Sequence, residues 1–136
     1  MAINWCRGDP INCVVLDTNV LMSIFLKKVD IIEEIKNVGI KEILIPRSVI
    51  EELHEIKRKS AGKDKLAAIF ALKFIDKSNF KIIGEGLRAD DEILHLAKKY
   101  NCAIITNDKF LKNRARNEKI PVGFLREFKK IEFYGI

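Results

Sequence analysis

The chain has 136 residues, 48% of them hydrophobic, and carries 25 Lys and Arg against 19 Asp and Glu, a formal net charge of +6. That length predicts a single domain over residues 1–136 around one core, and no apolar run approaches the ~18 residues of a membrane span. Cys6, Cys13 and Cys102 are odd in number and widely spaced, and only His54 and His95 are present, which fits neither a disulfide framework nor a zinc site.

Residues 1–10, with Gly8 and Asp9-Pro10, read as an irregular lead-in without the long apolar segment of a signal peptide, so the cytoplasm is the expected location. Ile11 and Cys13 lead into Val14-Val15-Leu16, a continuous apolar run that suits a strand buried on both faces of a parallel sheet. The run stops at Asp17, followed by Thr18 and Asn19. Asp17 is therefore expected at the carboxyl end of a central strand, where open α/β sheets build their sites. It also suits the N-cap of the next helix, which takes in Leu21, Met22, Phe25 and Leu26. Asp30 resembles the cap of a second helix, stopped by Gly39, and Glu42-Ile43-Leu44-Ile45 forms a second strand ended by Pro46.

Over about 47–59 a helix places Val49, Leu53 and Ile56 on one inward stripe. Glu52 falls on that stripe at i+3 from Val49, while Glu51, His54, Glu55 and Arg58 face water. A charge on an apolar stripe is costly unless something positive meets it. Lys57 to Lys65 reads as a solvated basic turn. A helix through Leu66, Phe70 and Phe74 follows, then a third strand at Phe80-Lys81-Ile82-Ile83 and a flexible Gly84–Gly86 loop.

Ala89-Asp90-Asp91-Glu92 opens another helix, and acids in a first turn favour the helix dipole. Asp90 shares its inward face with Ile93, Leu94 and Ala97, whereas Asp91 aligns with His95 and Lys98 toward solvent. Cys102-Ala103-Ile104-Ile105 is a fourth buried strand, with Thr106-Asn107-Asp108 at its carboxyl end. Cys13 and Cys102, each opening an apolar run, are expected as buried free thiols. The helix from Lys109 carries Lys112, Arg114 and Arg116, and at 100° per residue Lys109 and Lys112 are taken to share a side that the two arginines leave. Pro121–Leu125 is a fifth strand, placed at an edge because proline cannot donate to a ladder. Residues 126–136 form a basic, aromatic tail. The alternation predicts a three-layer α/β/α fold around a mainly parallel sheet of about five strands.

Parallel strands can bring Asp17, Glu52, Asp90 and Asp108 together at one sheet edge, with Asp91 the lesser alternative to Asp90. Carboxylates crowded there repel one another unless a cation neutralises them. Oxygen ligands without Cys or paired His suit Mg²⁺ or Mn²⁺, which can activate a water and clamp a phosphodiester. Thr18, Asn19, Thr106 and Asn107 could orient the ligands from behind. A haloacid-dehalogenase phosphatase needs a second acid where this chain has Asn19, and a P-loop or dinucleotide fold needs a Gly-rich turn after the first strand, which is absent.

On Val14–Asn19, Ile45-Pro46 leading to Glu51-Glu52-Leu53, Ala89–Ile93 and Ile105–Lys109, the chain resembles the PIN-domain family of metal-dependent ribonucleases. The resemblance spans about residues 12–125 and implies Asp17, Glu52, Asp90 and Asp108 as the catalytic, Mg²⁺- or Mn²⁺-binding acids of an endoribonuclease on single-stranded RNA. Ala-Asp-Asp followed by Thr106, Asp108, Leu111 and Lys112 looks most like the ribosomal-RNA-processing branch. The toxin branch of toxin–antitoxin pairs and a catalytically silent RNA-binding scaffold stay open beside it. A homodimer, ribosome-assembly proteins or an antitoxin are the partners implied. An acidic pocket needs cations at its rim to hold RNA, and Lys109 and Lys112 are the residues expected there.

Overall fold

The computed structural model describes residues 11–84, 86–127 and 129–134, so the lead-in expected over residues 1–10 and the centre of the Gly84–Gly86 loop lie outside the described residues. In chain order the elements are β1 (Cys13–Leu16), α1 (Thr18–Leu26), α2 (Ile31–Asn37), β2 (Glu42–Pro46), α3 (Arg47–Lys59) and α4 (Gly62–Lys77). These are followed by β3 (Lys81–Ile83), α5 (Ala89–Tyr100), β4 (Ala103–Ile105), α6 (Lys109–Asn117), β5 (Val122–Arg126) and β6 (Lys130–Phe133).

The strands form one sheet in the order β3-β2-β1-β4-β5-β6. β1 lies near its centre, parallel to β2 through Val14↔Ile43 and to β4 through Leu16↔Ile105. Val14, Val15, Leu16, Ile104 and Ile105 are all wholly buried, which is why these strands carry no polar alternation. Helices cover the sheet, with α5 packed on β1, β2 and β4, and with α4 against both α1 and α3. The result is the three-layer, mostly parallel fold expected, with six strands in place of about five. Among the described residues no helix is long and apolar enough to cross a membrane.

The sixth strand is the first correction. Much of what reads as a tail is β6, antiparallel to β5 through Leu125↔Ile131. Its alternation of Lys130 and Glu132 with Ile131 and Phe133 is a strand pattern disguised by charge. β5 is therefore interior to the sheet. Pro121 stands one residue before it, where its carbonyl accepts the Ile104 N–H at 2.9 Å and its missing donor costs nothing. The basic turn is also shorter than expected, because α3 runs to Lys59 and α4 begins at Gly62.

The cysteines correct a second expectation. Cys13 and Cys102 are joined by a disulfide across 89 residues of chain, with Cα atoms 4.7 Å apart. The β1–β4 register, Val14↔Ala103, brings the residues before each together. That adjacency is a property of strand order, which cysteine spacing does not reveal.

Candidate active site

Asp17 and Asp108 follow the ends of neighbouring parallel strands, and each caps the helix after it. Asp17 Oδ1 accepts the Asn19 N–H at 2.8 Å, and Asp108 Oδ1 accepts the Leu111 N–H at 3.1 Å. The cap takes one oxygen of Asp17 and leaves Oδ2 to a second partner. Thr106, wholly buried, donates its hydroxyl to Asp17 Oδ2, and its Oγ1 accepts the Asp108 N–H at 3.0 Å. One threonine thus ties the two strand-end acids together.

Glu52 departs from expectation in its surroundings. Val49 and Leu53 are buried, but Glu52 is exposed. At 100° per residue it lies on the border of the stripe, well round from Leu53, so its charge keeps water around it. Asp90 is half-buried and Asp91 exposed, the distinction expected from helix geometry.

The charges show how these groups relate. Burial raises Asp17, which is 7% exposed, from the ordinary 3.8 to about 6, opposed by the hydrogen bonds from Thr106 and Asn19 and reinforced by the charges of Glu52 and Asp108. Asp90 is raised by burial first, then by Asp108, with Glu52 and Asp91 adding and the Arg114 guanidinium pulling it back. The charges of Glu52 and Asp108 thus bear on both Asp17 and Asp90. Among the described residues, however, no three Asp, Glu, His or Cys side chains stand close enough together to hold a metal ion as they lie. In donor chemistry the set still fits a hard divalent cation, being all oxygen and net negative. Glu52 is exposed, and Asp90 and Asp108 are partly exposed, so all three carboxylates border solvent.

The neighbouring polar residues divide. Thr18 is buried and Asn19 contributes its backbone N–H to Asp17. Asn107 turns away: its amide donates to the Leu125 carbonyl at 3.2 Å and accepts the Leu125 N–H at 2.8 Å, clipping the end of β4 to β5.

The cations of α6 also differ from the helical-wheel expectation. Arg114 pairs with Asp91 at 3.0 Å and reaches the field of Asp90, so it belongs to the acid cluster. Arg116 returns to the Lys109 side, because seven residues make almost two full turns. Lys112 lies 5.6 Å and Arg116 4.7 Å from the centre of the same Tyr134 ring, and Lys112 is also 5.3 Å from that of Phe124. Lys109 is exposed.

Glu92 is the residue that sequence reasoning missed. It reads as a first-turn acid, yet it is wholly buried. Its Oε1 accepts from the Ser48 N–H at 2.9 Å and the Ser48 hydroxyl at 2.8 Å, and its Oε2 from Gly86 N–H at 2.9 Å and Leu87 N–H at 3.3 Å. Leu96 was the available signal, since it lies one turn on from Glu92, on the side opposite Asp90, and is buried too.

A family model described as "PIN like domain" matches residues 14–128. The chain is 39% identical over 125 residues to Ribonuclease VapC9 of Archaeoglobus fulgidus, covering 92% of this chain and 91% of that protein. It is 36% identical over 129 residues to Ribonuclease VapC4 of Methanocaldococcus jannaschii, covering 90% and 97%. Among solved structures, the PIN domain endonuclease Utp24 superposes with a TM-score of 0.70 at 25% identity over 91% of this chain and 92% of that one. A domain of a functionally unknown protein from Methanocaldococcus jannaschii does so with a TM-score of 0.63 at 23% identity, covering 85% and 91%, a likeness of fold alone.

Proposed function

Because the chain belongs to the PIN-like domain family, we propose that it is an endoribonuclease hydrolysing phosphodiester bonds of single-stranded RNA at Asp17, Glu52, Asp90 and Asp108. The observation that carries the reading is the placement of Asp17 and Asp108 just past the carboxyl ends of β1 and β4, tied together by Thr106, with the charge of Glu52 bearing on Asp17. The names of its two ribonuclease relatives supply the substrate class.

The four acids would hold Mg²⁺ or Mn²⁺, which supplies water activation and charge neutralisation at the phosphate when bound. Of these four, Asp17 provides the buried carboxylate, its orientation set by Thr106 and the Asn19 N–H. Thr106 also holds the backbone of Asp108, so both strand-end ligands move as a unit. Glu52 and Asp90 close the site from α3 and α5. Arg114 balances charge at the Asp90 side and can pass from Asp91 to a substrate phosphate. Lys109 and Lys112 lie on the helix capped by Asp108 and supply contacts to the RNA backbone. Cleavage of a single-stranded RNA with Mn²⁺ or Mg²⁺, lost in EDTA and in Asp17→Asn, tests the reading; full activity under either condition refutes it.

Ribosomal-RNA processing is one role for this chemistry. A toxin restrained by an antitoxin is a second, supported by a groove of about 890 Å³ lined by Phe25, Leu66, Phe70 and Phe74 among others. Leu66 is 54% and Phe70 40% exposed there, more apolar surface than scattered single residues explain. Co-purification with the product of an adjacent small gene separates the two roles.

A further inference from the structure

We propose that Glu92 is a positioning residue, which holds the start of α3 to the loop before α5 and so sets where Glu52 stands relative to Asp90. The inference rests on the nuclease reading for what those two acids do, and on contacts of its own for how they are placed.

A wholly buried carboxylate is expensive unless its oxygens are satisfied. The oxygens of Glu92 accept at least four hydrogen bonds among the described residues, three from backbone N–H groups and one from a hydroxyl. These donors come from two segments that share no strand pairing, the first turn of α3 and the Gly86-Leu87 stretch leading into α5. α3 needs such a partner, because Pro46 at its N-cap makes no side-chain cap bond. The Ser48 N–H is one of the helix's orphan donors, and Glu92 caps it from across the fold. An apolar side chain of similar volume would fill the space without the desolvation cost, but it could not fix both segments at once.

The geometry also ties Glu92 to the acids. Ser48 and Glu52 are four residues apart on α3 and lie one turn above another on the same face. Glu92 and Asp90 share the first turn of α5. A single carboxylate thus joins the first turn of α5, which carries Asp90, to the turn of α3 just before Glu52. The surrounding chain is shaped to it: Gly84 has φ +142°, and a Cβ there would lie 2.5–2.7 Å from the carboxylate atoms of Glu92.

The test compares wild type, Glu92→Gln and Gly84→Ala, the last displacing the carboxylate without changing any charge. An Ile35 variant in α2, chosen to match their loss of Tm, serves as the stability control. Mn²⁺ affinity should fall about tenfold or more in both variants, as for other residues that orient metal ligands. kcat should fall while KM for RNA holds, and the amides of Ser48, Gly86 and Leu87 should exchange faster. The Ile35 control should keep its Mn²⁺ affinity. If Glu92→Gln and Gly84→Ala bind Mn²⁺ as the control does, Glu92 is merely structural and the proposal is overturned. Should neither fold, Ser48→Ala removes one donor only, and about a threefold loss of Mn²⁺ affinity is expected; no loss overturns the proposal. Wild type that binds Mn²⁺ yet cuts no RNA refutes the nuclease reading, while the metal and exchange measurements still decide the role of Glu92.

Discussion

An Asp17→Asn variant separates what the buried carboxylate costs from what it does. Asp17 is 7% exposed and its pKa stands at about 6 against an ordinary 3.8. Two units correspond to about 3 kcal/mol of destabilisation once the group is ionised in both folded and unfolded chains. Asn keeps an acceptor for the Asn19 N–H, but it offers an amide to Thr106, whose oxygen already accepts the Asp108 N–H. That mismatch returns roughly 1 kcal/mol or more. The metal-free variant should therefore be more stable than wild type at pH 7 by about 1–2 kcal/mol, or roughly 4–8 °C in Tm. Because the folded pKa is the higher one, Asp17 favours folding below the unfolded value, and that advantage is lost as pH rises from about 4 to 6. The gap between variant and wild type should open across that window and stay constant above it. Urea unfolding in EDTA from pH 4 to 8 measures this, beside RNA cleavage in Mn²⁺, which the variant should lack. A variant less stable than wild type at pH 7, with an unchanged pH profile, would show that the carboxylate serves the fold and refute the reasoning.

Other perturbations test separate contacts. Arg114→Gln should raise KM for RNA and flatten the salt dependence of binding by about one unit of slope, as the loss of one phosphate contact does; an unchanged slope confines Arg114 to its ion pair with Asp91. Asn107→Ala loses both hydrogen bonds to Leu125 and should cost about 1–3 kcal/mol in urea unfolding while leaving Mn²⁺ affinity intact. A fall in affinity would place Asn107 behind the ligands after all. Reducing the Cys13–Cys102 disulfide, which spans 89 residues, should lower stability by about 2–4 kcal/mol, and a Tm indifferent to reductant contradicts that bond.

What the sequence made legible follows the range of each interaction. β1 and β4 were readable because a strand buried on both faces must be apolar throughout, and the abrupt Asp17 and Asp108 mark where each ends. Asp90 separated from Asp91 because a helix face is set within a few residues. Most of the failures involve partners distant in the chain. The Cys13–Cys102 disulfide and the clip from Asn107 to Leu125 depend on which strands lie side by side. Glu92 looked like an ordinary dipole-favouring acid because its donors, Ser48 above all, come from another helix. Arg116 was different: its return to the Lys112 side was available from helical arithmetic, and both now lie over Tyr134.

Asp17, Glu52, Asp90 and Asp108 are proposed to act together in holding Mg²⁺ or Mn²⁺. Mn²⁺ titration of the wild type and of Asp17→Asn, Glu52→Gln, Asp90→Asn and Asp108→Asn, followed by electron paramagnetic resonance, tests it most directly. Specific binding in the wild type that weakens by tenfold or more in each variant, in step with loss of RNA cleavage, is the predicted result. Binding that survives all four substitutions, or cleavage that persists without the ion, would contradict the account.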